Sequence, residues 1–346
     1  MKMLKNFVAV MLVTMLALQF TSCKKDEPSD KGGEVSQKIA IVDAGSSGSR
    51  LYVFEVSGKT VKCLFPTTQE EKAASKTRAL STVTAQADSV KKFLNILTAG
   101  YTPSSSESIP LYVLATAGMR LKSQSEAEAL YALLNAETTP HNGLQMKEAK
   151  TISGRYEGLY AFIDINITNG SLGSSTPLGL WEVGGASMQL TFKSNTDDIP
   201  SANKIIREWG TIYSRSYLGA GADQVYADGN AHEAPFTFTI PLEDVSKYII
   251  NGTKFSGQGK GLKVFFAGVM EKGSVEEYMK TLKFNPATDI YHAYMNGYYF
   301  TWAMDKLNLT DRFENYPIDG DWPVGAAYDI VVNSQQPESY NYTTPN

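Results

Sequence analysis

The chain has 346 residues, a net charge of −4, 42% hydrophobic residues and 20% charged residues. That length suits about two domains of ~100–200 residues, and the apolar content supports a buried core. An acidic balance without a dense Lys/Arg cluster excludes nucleic acid as the main partner, because such binders carry a basic stripe.

Lys2 and Lys5 flank an apolar run from Phe7 to Phe20. It is short for a bilayer span and reads as a secretory signal. The "FTSC" that follows, a small residue before a lone cysteine, resembles the lipobox of bacterial lipoproteins. The expectation is a signal peptide over 1–22, Cys23 lipidated at the mature N-terminus, and a flexible polar tether over 23–37. The protein would then be anchored to the membrane in the cell envelope, facing the periplasm or the outside. With Cys23 acylated, Cys63 stands alone and no intrachain disulfide is possible. The three histidines, His141, His232 and His292, are far apart and make no zinc-type pair. Sequons at Asn166, Asn251, Asn308 and Asn341 would matter only in a eukaryotic secretory chain.

From Ile39 the elements follow in order. "KIAIVDAGSSGSRLYVFEV" is apolar run, tight loop, apolar run, a strand hairpin. "TVKCLFPT" predicts a third strand. "QADSVKKFLNIL" places Val90, Phe93, Leu94 and Leu97 on one helical face. "IPLYVLATAGMRL" reads as a buried strand running into a loop. "SEAEALYALLNAE" reads as a helix capped by Ser125. The second half opens with "TISGRYEGLYAFIDINI", a helix entered at Ser153. "LGLWEVGGASMQLTF" then repeats the hairpin pattern. Strands are expected at "FTFTIPL" and "KVFFAGV". A long aromatic helix, "DIYHAYMNGYYFTWAMDKL", sets Tyr291, Tyr294, Met295, Tyr298 and Trp302 at helical spacing, a core-facing stripe. "DGDWPVGAAYDIVV" is a loop leading into a strand or the start of a helix.

The two hairpins share an unusual feature. Each turn is an acidic residue followed by Gly and Ser, at 41–50 and again at 181–190. Loops of small residues let several backbone N–H groups approach one anion. Two such loops face to face would grip a polyphosphate. Neither is a Walker A loop nor a dinucleotide-binding glycine motif.

Five segments carry a family resemblance: "VDAGSSGSR" (42–50), "LATAGMRL" (114–121), "SGRYEGLYAFIDIN" (153–166), "EVGGASMQL" (182–190) and "YSRSYLGAGADQVY" (213–226). In order and spacing they resemble the apyrase-conserved regions of the ecto-apyrases, the nucleoside triphosphate diphosphohydrolases. "DWPVGA" (321–326) resembles that family's C-terminal Trp-containing segment. The resemblance implies an α/β fold of two ribonuclease-H-like lobes, the actin, sugar-kinase and heat-shock-protein superfold, with the active site in the cleft between them. Lobe I would span 38–150, completed by 322–346, and lobe II 151–321. It implies a monomer that acts on nucleoside tri- and diphosphates with Mg²⁺ or Ca²⁺.

Residue by residue, the resemblance makes Glu157 the base that activates water, with Ser187 and Gln189 orienting that water. Ser46, Ser47, Gly48, Gly184, Gly185 and Ala186 would hold phosphate. Arg50 and Arg120 can donate charge-assisted hydrogen bonds to it, and Thr116 can bond a terminal oxygen. Asp43 and Glu182 would hold the divalent ion through waters. Glu182 departs from the family, which has Asp there. The extra methylene leaves open whether the carboxylate reaches the ion directly, displaces a water, or shifts the choice between Mg²⁺ and Ca²⁺. The fifth segment lacks the family's Cys and Arg, so Gln224 stands as a weaker candidate beside Asp223. For the base, the candidates are Tyr291, Tyr294, Tyr298 and Phe265.

Two other functions fit parts of this pattern. An exopolyphosphatase or guanosine-pentaphosphate phosphohydrolase shares the superfold, but reads more like "GSNS" in its first loop and is normally cytoplasmic. A nucleotide-binding protein with weakened catalysis would keep the cleft and lose turnover.

Overall fold

The computed structural model describes residues 36–104, 106, 108–227, 240–273, 277, 280, 299–313 and 320–343. Ser36–Asn346 makes one compact unit. The signal, Cys23, most of the tether, His232, His292 and the stripe Tyr291, Tyr294, Met295 and Tyr298 lie outside the described residues.

The first sheet runs β3 (Thr60–Phe65), β2 (Ser49–Ser57), β1 (Gln37–Ala44), β5 (Ile109–Ala115) and β6 (Leu144–Thr151), with the short β4 (Lys76–Thr77) also pairing with β2. β1, β2 and β3 form an antiparallel meander, and β5 and β6 add to it in parallel. A parallel neighbour needs a crossover. Here α1 (Gln69–Ala74) and α2 (Ala87–Thr98) precede β5, and α3 (Ala117–Arg120) and α4 (Gln124–Asn135) precede β6. Alternate residues of β1 leave for opposite faces. Ala40, Val42 and Ala44 join α2 and α4 in one core. Ile39 and Ile41 join α5 (Gly154–Thr168) and α9 (Trp322–Val331) in another. Cover on both faces explains why these strands read as unbroken apolar runs.

The second sheet runs β11 (Phe255–Gln258), β7 (Gly179–Val183), β8 (Ser187–Ser194), β10 (Gly210–Leu218) and β9 (Lys204–Arg207). β7, β8 and β10 are antiparallel in turn, and β11 adds in parallel beside β7. The three-strand meander with a parallel neighbour thus recurs, here with one parallel strand and with β9 antiparallel on the outer edge of β10, giving the two ribonuclease-H-like sheets of the expected α/β fold. α6 (Ala222–Ala227) follows β10. A third core joins Trp181, Phe192 and Phe255 of this sheet to α7 (Lys260–Lys272) and α8 (Phe300–Leu307).

α5 binds the two sheets together. It packs against β7, β8, β10 and α9, and its core includes β1 and β2 residues of the other sheet. Eleven of its 15 residues are buried, so it is enclosed on all sides rather than amphipathic.

Some sequence expectations are corrected. α4 is capped by Ser123, not Ser125: Ser123 sits three residues before Glu126, and the two complete a reciprocal capping box. "KVFFAGV" lies in helix α7, not in a strand. Leu262, Phe265, Phe266 and Val269 pack in or against the core at i, i+3, i+4 and i+7, the helical period that a short apolar run conceals. In "FTFTIPL" the described residues, Ile240–Leu242, are not strand, and the rest lies outside the described residues. β6, too polar to read as a strand, was not anticipated. Among the described residues no helix is long and apolar enough to cross a membrane.

Candidate functional site

The two Gly/Ser loops meet. A Cβ built on Gly185 would lie 3.0 Å from the Ser46 hydroxyl, so the second loop touches the first backbone to side chain. The second conserved segment braces the first loop from behind. A Cβ on Gly118 would lie 2.8 Å from Ser46 Cα, and the buried Thr116 donates its N–H to Ala44 O at 3.2 Å. The fifth segment forms a collar on the second loop. Ala222 N–H donates to Gly184 O, and Asp223 and Gln224 N–H both donate to Gly185 O, at 2.9, 2.9 and 3.0 Å. These bonds draw the loop carbonyls toward the start of α6. Among the described residues, the N–H groups of Ser46, Ser47, Gly48, Gly185 and Ala186 have no backbone partner. That leaves a group of donors in small-residue loops, suited to an anion.

Beside the second loop, sheet register builds a polar row. Gln258, Glu182, Gln189 and Ser216 are consecutive partners across β11, β7, β8 and β10. The first turn of α5 brings Glu157 against this row. Gln189 Nε2 is 2.7 Å from Ser187 Oγ, 3.1 Å from Ser216 Oγ and 3.2 Å from Glu157 Oε2. Glu157 Oε2 also accepts from Arg120 Nη2 at 2.6 Å, a pair whose side chains are 9% and 1% exposed. Arg120 Nε donates to Ile152 O at 3.0 Å. Arg120 therefore faces Glu157 instead of standing open to a phosphate. Only its Nη1 has no partner among the described residues.

The carboxylates of the site repel one another. Burial, opposed by Arg50 and reinforced by Glu157 and Asp321, lifts the Asp43 carboxyl to about 7. Arg50 Nη1 stands 3.8 Å from Asp43 Oδ2 on the facing strand position. Burial and the charges of Glu157 and Asp43 hold the Glu182 carboxyl well above its ordinary range. Glu182 Oε2 is buried without a partner among the described residues. Such carboxylates are stable as anions only beside a cation. An oxygen-preferring divalent ion between Asp43 and Glu182 fits that need. Among the described residues, no three acidic, His or Cys side chains converge as direct ligands.

The C-terminal segment completes this wall. The Trp322 side chain hydrogen-bonds Asp43, Asp321 bonds the Tyr52 hydroxyl, and the Asp321 N–H donates to the buried Asp164 on α5.

The fold therefore gathers Asp43, Ser46, Ser47, Gly48, Arg50, Thr116, Glu157, Glu182, Gly184, Gly185, Ala186, Ser187 and Gln189 into one neighbourhood. Phe265 is not a base platform: it is fully buried in the third core. Tyr291, Tyr294 and Tyr298 lie outside the described residues. Asp164, Ser216, Gln258 and Asp321 escaped the sequence reading. For Asp164 a signal existed, a carboxylate inside the apolar helical run "LYAFIDIN".

The model of the GDA1/CD39 (nucleoside phosphatase) family matches residues 34–234. The chain is similar to ectonucleoside triphosphate diphosphohydrolase 5 of Gallus gallus, 30% identical over 196 residues, 52% of this chain and 46% of that protein. It is also similar to ectonucleoside triphosphate diphosphohydrolase 1 of Mus musculus, at 29% identity, covering 53% of this chain and 41% of that one. It spans less than half the length of these relatives. Among solved structures, the Ppx/GppA family member of Aquifex aeolicus aligns over 87% of this chain and 100% of its own, at 12% identity and a TM-score of 0.48.

Proposed function

The chain belongs to the GDA1/CD39 (nucleoside phosphatase) family, and from that premise we propose that it is a nucleoside-triphosphate diphosphohydrolase. It removes terminal phosphates from nucleoside tri- and diphosphates by in-line attack of water. One observation carries this reading. Glu157 Oε2 is held by both Arg120 and Gln189, and among the described residues Oε1 is left to take a proton from water.

Phosphoryl groups transfer through a loose transition state, so positioning and charge neutralisation dominate. Ser187 and Gln189 orient the water at Glu157. Its oxygen bonds the terminal phosphorus while the bridging P–O bond breaks. The proton goes to Glu157, and the bond's electron pair leaves with the shortened nucleotide. General-base help of this kind is worth ~10²–10⁴-fold. The loop N–H groups, Arg50 and Thr116 receive phosphate oxygens. Asp43 and Glu182 would hold Mg²⁺ or Ca²⁺, which neutralises charge on the phosphates.

Lobe I is 38–150 with 322–346, lobe II is 151–321, and the protein is a monomer. Residues 1–22 are removed, Cys23 is lipidated, and 23–37 tether the enzyme in the cell envelope. Metabolic labelling with an alkyne fatty acid, lost in Cys23→Ser, checks the anchor.

Phosphate release from ATP, ADP, AMP and polyphosphate, each with Mg²⁺ or Ca²⁺, tests the activity. Release from ATP and ADP, reduced at least a hundredfold in Glu157→Gln, is expected. Release from polyphosphate alone would move the protein to the exopolyphosphatase reading, and release from none to a binding protein. Full activity in Glu157→Gln would overturn the mechanism.

A further inference from the structure

Asp164 is a buried carboxylate with no part in the chemistry above. It is 3% exposed, in the middle of α5, where an unpaired charge is costly. Its bonds lead away from the helix. It accepts the backbone N–H of Asp321, and its Oδ2 has no hydrogen-bond partner among the described residues.

Gly320 lies directly over this oxygen. A Cβ there would be 2.3 Å from Asp164 Oδ2 and 2.4 Å from Gln258 Nε2. The backbone therefore rests on two buried polar side chains, one from α5 and one from the polar row of the second sheet. The next two residues act on the other side of the site: Asp321 holds the Tyr52 hydroxyl and Trp322 holds the Asp43 carboxylate. Trp322 also stacks on Tyr160, one turn before Asp164 on α5, with ring centroids 6.2 Å apart.

We propose that Asp164 is a positioning residue for Asp43: it fixes the Gly320–Trp322 segment on α5, and that segment holds the Asp43 carboxylate where a divalent ion is bound. The helix carrying the base and the strand end carrying Asp43 are thereby set by one connection. The metal half of this inference rests on the function proposed above; the Trp322–Asp43 contact does not.

Nitrogen-15 NMR of the metal-free protein reads the contact directly. In Asp164→Ala, the Trp322 indole N–H resonance moves toward that of free indole and exchanges with solvent at least tenfold faster. Calorimetry then shows Mg²⁺ or Ca²⁺ bound about tenfold more weakly without nucleotide. Asp164→Asn keeps an oxygen acceptor for the Asp321 N–H and stays within about threefold of the parent. Should Asp164→Ala fail to fold, Gly320→Ala takes its place, because its Cβ displaces the same segment while leaving Asp164 intact. A folded Asp164→Ala protein with an unmoved indole resonance overturns the inference. So does a tenfold loss of ion affinity in Asp164→Asn equal to that in Asp164→Ala, which would make charge, not placement, the cause. If the parent binds no divalent ion, the metal reading fails and the indole resonance alone decides.

Discussion

Gly118→Ala tests whether the first loop is held in register with the base. Gly118 lies in the short helix α3, far in sequence from both phosphate loops, and bonds no substrate group in the proposed mechanism. Its added Cβ would lie 2.8 Å from Ser46 Cα, 3.3 Å from Ser46 N and 3.4 Å from Gly45 O. All three are backbone atoms, so no side chain can rotate away. Carbon atoms rest at about 3.5–4.0 Å, so the loop must retreat by roughly 0.7 Å or more. Overpacking of this kind costs about 1–3 kcal/mol, partly offset by the helix preference of Ala over Gly, about 1 kcal/mol. The net loss of stability is therefore small, about 0–2 kcal/mol. The catalytic loss is larger, because a displacement near 1 Å can cost about 10²-fold in rate. We expect kcat to fall about 10–100-fold while the protein stays folded. Steady-state phosphate release and a thermal melt, run side by side, read the two effects. A folded Gly118→Ala protein with kcat within twofold of the parent would refute the bracing of this loop.

Arg120→Met leaves Glu157 buried without its cation, and removing one partner of a buried pair costs about 3–5 kcal/mol. Chemical denaturation should show that loss, and phosphate release should fall at least tenfold; unchanged stability would show that the pair is not needed. With the Asp43 carboxyl at about 7 in the metal-free protein, a divalent ion must displace its proton. Ion affinity should weaken as pH falls from 8 to 6, and calorimetry in buffers of different ionisation enthalpy should detect proton release near pH 6.5; affinity independent of pH would contradict this. Burial lifts the Asp164 carboxyl from 3.8 to about 7. Stability from a raised carboxyl is fully present below about pH 4 and is lost as pH rises through 7, by up to about 4 kcal/mol at 1.36 kcal/mol per unit. Asp164→Asn should therefore stabilise the metal-free protein at pH 8, with the gain vanishing below pH 4. Equal stability of the two proteins at pH 8 would place Asp164 in a wetter site than its burial indicates.

What could be read from sequence followed period and repetition. The two hairpins were legible because each couples an apolar strand run to an acidic Gly/Ser turn, and α2 because Val90, Phe93, Leu94 and Leu97 keep one face. α7 was misread because "KVFFAGV" holds a six-residue apolar run, too short for its period to separate helix from strand. The relations between the motif residues, unlike the motifs themselves, are not written in the sequence. Arg120 reads as a phosphate ligand because an arginine in such a motif has that chemistry. Only the path of the chain from β6 into α5 brings Ile152 O and Glu157 to its guanidinium. Register across strands far apart in sequence produced the rest: Gln258 and Ser216 join Glu182 and Gln189 only once β11 and β10 flank the second hairpin.

The duplicated loop does different work in its two places. In the first hairpin the acidic residue faces Arg50 across the strand pair. In the second it faces Gln189, a neutral amide that gives no charge relief. Asp43 has a cation at 3.8 Å and an indole donor, whereas Glu182 Oε2 has no partner among the described residues. The longer side chain therefore stands at the less compensated position, where attraction for a cation is stronger. Glu182→Asp shortens the reach by one methylene without changing the charge. If Glu182 contacts the ion directly, the ratio of Mg²⁺- to Ca²⁺-supported rates should change at least threefold, because Mg²⁺ demands the tighter octahedral geometry. If a water separates them, the ratio should hold while both affinities shift together. A ratio change under 1.5-fold with unchanged affinities would remove Glu182 from the ion's surroundings altogether.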